Sequence, residues 1–324
     1  MASSSLTQLF GYLQPYRGKL NLGIVTLLVT NAMGVAIPWL LKVAIDDLGQ
    51  KPRYETILLY VGAILGLATV MGLIRIWSRV LLFSIGRQVE FDLKGKIFSH
   101  LLRMAPSYFA RNPVGDLINR ATSDVDSVRR LLGFAVLSII NTFFAYLLTL
   151  PVMLSLDWSL ALLSLSVYPL MFVAVWLFAD RLRTEQMAVQ EGLGRISSLL
   201  QEDLNGISLI KVYAQEENEH RAFDHENETL LEANLRLAVS RNAIFPLLGA
   251  LASGSLLVLL WFGGPRLAEG TLSIGSFAAL AIYVERLVFP TALLGFTITT
   301  YQRGQVSIDR IEQILAVPPT IVDR

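Results

Sequence analysis

The chain has 324 residues, of which 53% are apolar and only 16% charged, well below the roughly 25% charged of a water-soluble domain, so the composition is that of a membrane protein. Its 27 basic and 26 acidic residues nearly balance, which removes the basic stripe that nucleic acid would require, and the absence of cysteine excludes disulfides, thiolate metal sites and cysteine nucleophiles. The three histidines, His100, His220 and His225, lie in polar surroundings, and the last two fall on different helix faces, so no metal centre is expected.

The N-terminus, MASSS, has no basic region, and the first apolar run is too long for a signal core, so no cleaved secretory signal is expected. Leu6, Leu9, Phe10, Leu13 and Tyr16 share one helical face, with Ser5 and Gln8 placed as a capping box. Residues 5–16 are therefore expected to form a short helix along the inner membrane surface, within an N-terminal segment 1–18. Uncharged stretches follow at Leu20–Leu41, Thr56–Ile74, Leu131–Leu156, Trp158–Ala179 and Asn242–Pro265, each long enough to span a bilayer at about 20 residues per crossing. A sixth span has to be assembled from Thr271–Val284 and Leu287–Gln302, joined through Glu285 and Arg286 into one long helix.

The connections are unequal. Those at 42–55, Asp157 and 266–270 are short, whereas about 80–130 and 181–241 lie in long ones. Lys and Arg number 22 on the side holding both termini and the long connections, against four on the other side (Lys42, Lys51, Arg53, Arg266), which makes that side cytoplasmic. The long connections are not loops. Leu82, Ile85, Val89, Leu93, Ile97 and Leu101 recur at three- or four-residue steps, and 181–204 and 219–241 are equally helix-compatible, so the spanning helices are expected to run on into the cytosol. Each excursion must turn at its tip. Pro106 and Pro113 bracket SYFARN in the first, and Asn205 with Gly206 interrupts the second. The fold class expected is all-α, six long transmembrane helices with two helical intracellular extensions, over residues 19–315.

Glu285 and Arg286 are adjacent charges deep in a span, where each costs about 2.5 to 3.5 kcal/mol on insertion scales unless it faces a partner, a cavity or the bundle interior. Neighbours on a helix point about 100° apart, so they do not pair with each other. Arg75 and Arg79, at the inner end of the second span, are within reach of Glu285 if the helices are neighbours. These four residues are candidates for a substrate path or its gate. The competing reading is that the charges only lock helices together. Gly62 and Gly66 make a G-x-x-x-G packing spacing in the second span, and Pro38 and Pro290 mark potential kinks.

The stretch SYFARNPVGDLINRATSDVDSVRRLL resembles the first intracellular loop of ABC (ATP-binding cassette) exporters of the bacterial lipid and multidrug type, in its aromatic pair, N-P-x-G-[DE]-L turn and R-x-[TS]-x-D-[VT] helix. RISSLLQEDLNGISLIKVYAQEENEHRAF is similar to the second loop, and SIDRIEQILAVPP to the segment leading into the nucleotide-binding domain. The resemblance implies a six-helix membrane domain that pairs with a second transmembrane domain, as a homodimer or heterodimer, in the plasma membrane. It also implies coupling helices that dock into two ATPase domains, one at about Asn112–Asn119 (Asn112, Pro113, Gly115, Asp116) and one at about Gly206–Gln215 (Gly206, Ile207, Lys211, Tyr213).

No G-x-x-x-x-G-K-[ST] phosphate loop occurs, so the chain alone is not expected to hydrolyse ATP. ATP and Mg belong to a nucleotide-binding domain expected beyond residues 316–324, either in a longer polypeptide or in a separate one, the former favoured. The full protein is then an ATP-hydrolysing translocase that moves an amphiphile (lipid, drug or peptide) out of the cytoplasm. An autonomous secondary carrier or channel is the alternative; it has no use for long cytoplasmic levers. A membrane-embedded enzyme would need clustered carboxylates or histidines in the spans.

Overall fold

The computed structural model describes residues 11–49 and 54–319. Among them no strand occurs, and six helices are long and apolar enough to cross a membrane: Gly11–Leu48, Tyr54–Leu101, Val114–Leu156, Trp158–Asn205, Glu216–Ala268 and Ile274–Leu315. We label the elements α1 (Arg17–Leu48), α2 (Tyr54–Leu101), α3 (Pro106–Arg111), α4 (Val114–Asn119), α5 (Val125–Arg130), α6 (Val136–Leu156), α7 (Trp158–Leu165), α8 (Tyr168–Asn205), α9 (Ile207–Val212), α10 (Glu216–Ala268) and α11 (Ile274–Leu315). Short π-helical stretches join α4 to α5 and α5 to α6. At 1.5 Å per residue, the 48 residues of α2 and 53 of α10 run about 70 and 80 Å, more than twice the ~30 Å apolar core of a bilayer.

The element ends follow from side-chain chemistry. Pro113 forces Asn112 into the extended region (φ −121°, ψ 112°), which ends α3 and lets α4 start one residue later. Asp157 (φ −161°) caps α7 by accepting the Leu160 amide at 2.9 Å, and Ser273 caps α11 by accepting from Ser276 at 3.1 Å. The fourth span, read from sequence as continuous, is interrupted at Ser166–Val167. Pro169 stands in the first turn of α8, where a missing amide costs nothing, and its ring excludes an unbroken helix from α7.

The chain divides into two compact units. One comprises residues through Ser166 together with those from Ser255 onward; the other is Val167–Gly254. In the first unit, Leu82, Ile85, Val89, Leu93 and Ile97 of α2 are all buried against Val125 and Val128 of α5, Leu131, Leu132 and Ala135, and Ile308 and Ile311 of α11. Gly86 lets α2 approach closely, since a Cβ there would meet the Arg129 carbonyl at 2.9 Å. Burying such side chains stabilises by about 1.5–3 kcal/mol each. In the second unit Val189 of α8 packs on Ala233 and Leu237 of α10, with Arg195–Glu226 at 2.8 Å further along the pair.

The interfacial helix expected over residues 5–16 lies partly outside the described residues. At its described end Leu13 is buried in the same core cluster as Leu93, Ile97, Ile308 and Ile311, and Tyr12 and Tyr16 pack against that cluster.

Candidate substrate path and coupling surface

The sixth span is one helix through both charges, as the joined halves require. The two charges part company at once. Arg286 turns toward α1, where its Nη2 donates to the Asn31 carbonyl at 3.2 Å; one turn earlier the Tyr283 hydroxyl donates to the Val35 carbonyl at 2.7 Å. The guanidinium occupies the space in which a side chain on Gly34 would stand. Asn31 is itself fixed, donating to the Leu27 carbonyl at 2.9 Å and to Asn141 of α6 at 3.1 Å. Tyr146 of α6 shares a hydrogen bond with Thr291 of α11 at 2.5 Å. The buried residues of α1 are Gly23, Thr26, Leu27, Thr30, Asn31, Gly34, Val35 and Pro38, half of them glycine or threonine; Gly23 lies against Leu82 of α2 and Gly34 against Arg286 of α11. Glycine and threonine let helix backbones approach in a membrane.

Glu285, 100° round the helix, is exposed on the single chain. Arg75 and Arg79 are exposed as well, and among the described residues neither forms an ion pair with Glu285. Arg75 instead stands close enough to Arg286 for the two like charges to act on each other. The structure thus turns Arg286 toward α1 and leaves Glu285, Arg75 and Arg79 exposed. Gly34 and Asn31 were not singled out from sequence; the recurrence of small residues at 23, 26, 30 and 34 is the signal that marks their face.

At the first turn, Asn112 caps α3, its Nδ2 donating to the Tyr108 carbonyl at 2.9 Å, and Pro113 precedes α4. Gly115 has open space around its Cα, so packing within the chain does not demand glycine there. Asp116 faces the protein as much as the solvent. Its Oδ2 accepts from Arg120 Nε at 2.8 Å and its Oδ1 from Arg310 Nη2 of α11 at 2.8 Å. Arg310 also reaches Asp124 at 3.3 Å; Asp124 accepts from Ser307 at 2.9 Å, and Arg120 Nη1 donates to the Arg310 carbonyl at 3.0 Å. Asp124 is only 7% exposed, so its charge depends on these partners. Two motifs that are 190 residues apart are therefore one charge-assisted network joining α4 to the end of α11.

At the second turn, α8 ends at Gly206, whose amide donates to Glu202 O at 2.8 Å. α9 follows, and Ala214 adopts a positive φ of 52° before α10 begins. Lys211 pairs with Glu216 at 3.0 Å. Ile207, Leu209, Val212 and Tyr213 are exposed, the last two 76% and 68%. Val114 and Ile118 of α4 are exposed likewise. Leu117 of α4 is buried within this chain, whereas the other apolar side chains named here stay exposed, and exposed apolar patches of this kind are a common feature of interaction sites.

Toward the other membrane face, Asp46 of α1 accepts from the Gly275 amide at 2.9 Å and the Ser273 hydroxyl at 3.0 Å, which closes α1 on the start of α11. Asp157 pairs with Arg266 at 2.6 Å. Burial of Asp157 opposes its ionisation, but the Leu160 amide and the Arg266 guanidinium outweigh it and hold the carboxyl below the usual range. Among the described residues no His, Asp or Glu group could hold a metal ion.

Residues 20–291 match the family model of the ABC transporter transmembrane region. The chain is 27% identical over 312 residues to an ATP-dependent lipid A-core flippase of Syntrophus aciditrophicus, covering 96% of this chain and 52% of that protein. It is 26% identical to the probable multidrug resistance ABC transporter ATP-binding/permease protein YheI of Bacillus subtilis (99% and 55% covered), and 27% identical to the multidrug resistance-like ATP-binding protein MdlA of Escherichia coli (93% and 52%). The chain spans about half the length of the curated relatives it matches. Six spans with helices running far beyond them, two short tip helices and a match over most of the length have one common account: the chain belongs to the ABC transporter transmembrane region family.

Proposed function

We propose that this chain is the membrane-spanning half of an ATP-driven exporter, which moves an amphiphilic substrate out of the cytoplasm by alternating access. The observation that carries this reading is the pair of six-residue helices, α4 and α9, each carrying exposed apolar side chains at the far end of helices too long for a bilayer. A tip built this way has a use if an external motor grips it. In this reading Asn112, Pro113, Gly115 and Asp116 belong to one coupling element and Gly206, Ile207, Lys211 and Tyr213 to the other. ATP and Mg bind on the ATPase domains these elements contact. Both termini are cytoplasmic, the membrane is the plasma membrane, and the working unit contains a second transmembrane domain, most simply another copy of this chain.

Glu285, Arg286, Arg75 and Arg79 form the polar part of the substrate path. A carboxylate in mid-span does not face lipid, so the exposed side of Glu285 looks onto a wet pathway or onto the second subunit. Arg75 and Arg286 act on each other as like charges, which suits an acidic headgroup on an otherwise apolar substrate. Relatives with the words lipid A-core flippase and multidrug in their names fit that chemistry.

The test is reconstitution of the full polypeptide with its ATPase, scored for ATP hydrolysis over a panel of acidic, neutral and cationic amphiphiles. Acidic amphiphiles should stimulate most, and Tyr213→Ala should lower substrate moved per ATP by about tenfold, the order seen when an aromatic anchor is lost from an interface. Transport driven by an ion gradient in vesicles containing this chain and no ATPase would overturn the reading in favour of a secondary carrier.

A further inference from the structure

The N-terminal segment makes contacts that the coupling reading does not use. The Tyr12 hydroxyl donates to Glu312 Oε1 and the Tyr16 hydroxyl to Asp92 Oδ2. Leu13 between them is 5% exposed and belongs to the same buried cluster as Leu93, Ile97, Ile308 and Ile311. Glu312 lies in the last turn of α11, two residues beyond Arg310, so the end of that helix is gripped twice: by Asp116 and Asp124 through Arg310, and by Tyr12 through Glu312. The segment is also set off from α1 by a joint. Pro15 has no amide to continue the helix, Gln14–Tyr16 form a 3₁₀ turn, and Tyr16 leaves helical geometry (φ −107°, ψ 12°). Gly18 follows with open space around it.

We propose that residues 11–16 form a latch on the end of α11, the end that leads toward the ATPase, with Tyr12 as a positioning residue and Leu13 as its anchor. A hydroxyl–carboxylate hydrogen bond is charge-assisted and directional, and the buried leucine fixes the register, so the segment and the helix end move as one body. The joint at Gln14–Tyr16 lets that body swing relative to α1. Through it, the N-terminal segment senses the force that passes between α4 and α11. This inference rests on the coupling reading of Asp116 and Arg310.

The test uses the full polypeptide in proteoliposomes. Tyr12→Phe removes only the hydroxyl, Glu312→Leu removes the acceptor, and Glu312→Gln keeps one. The first two should each lower substrate moved per ATP by about fivefold, the factor expected for one net hydrogen bond, with Tm lowered by no more than about 4 °C, and Glu312→Gln should stay within about twofold of the parent. The double variant Tyr12→Phe/Glu312→Leu should be no worse than either single, as for partners in one contact.

The chain contains no cysteine, so Tyr12→Cys with Glu312→Cys should also cross-link with a short thiol reagent as a single product. An unchanged ratio in Tyr12→Phe while Arg310→Ala lowers it, or additive losses in the double variant, or no cross-link in any nucleotide state, would overturn the latch and leave coupling intact. If Arg310→Ala also leaves the ratio unchanged, the coupling reading falls and the latch with it.

Discussion

At Gly34 the absence of a side chain decides where a charge sits. The Arg286 guanidinium fills the space a Cβ would take, and its bond to Asn31 O follows from that seat. Gly34→Val should therefore evict Arg286 at an overpacking cost of about 1–3 kcal/mol, read as a lowered unfolding midpoint in detergent. Gly62→Ala should be near neutral by the same measurement, because Gly62 has open space around it. Asp157 gives a pH-dependent counterpart. Its carboxyl is held low in the folded chain, so the stability it contributes is fully present above the unfolded carboxylate pKa of about 4 and is lost as pH falls through the lower folded value. Parent Tm should fall between about pH 5 and 3, and Asp157→Asn should fall less over that window. That Glu285 and Arg286 sit deep in a span is plain in the sequence. Which of them turns inward is not, because that depends on the small-residue face of a helix 250 residues away.

At the scale of elements, the parts legible from sequence are those fixed by local chemistry. The turns at Pro113 and Gly206 and the heptad-like run on α2 specify their own conformation, and each stands where the pattern puts it. The break at Pro169 is equally local and was readable from the proline, yet the apolar run around it reads as one uninterrupted span. What local patterns do not contain is the network of Asp116, Arg120, Asp124, Ser307 and Arg310. Each motif carries its charges for partners in the other, and neither alone says so. Arg310→Ala leaves the mostly buried Asp124 carboxylate short of a cation, at a cost of about 1–3 kcal/mol, and Asp124→Asn in the same background should restore part of it. Thermal unfolding of the two variants checks this. Restoration would identify the loss as an uncompensated charge rather than lost packing.

For the whole molecule, the proposed coupling requires that the helix stretches running beyond the spans act as stiff levers. In the second unit, α8 and α10 are joined by a thin seam of Val189, Ala233 and Leu237 and by the Arg195–Glu226 ion pair, so their rigidity depends on unbroken helix as much as on packing. Stiffness can be tested without touching either tip. Glu228 and Glu232 are exposed on α10 and make no ion pair among the described residues. Replacing both by glycine weakens the helix by about 1 kcal/mol per site relative to alanine, while alanine at the same positions removes the charges and keeps the rod. If tip motion is transmitted through the rod, the double glycine variant should hydrolyse ATP at the parental rate and move several-fold less substrate, and the double alanine variant should behave as the parent. Equal transport by the two would mean the lever is not where force travels, since only backbone flexibility separates them.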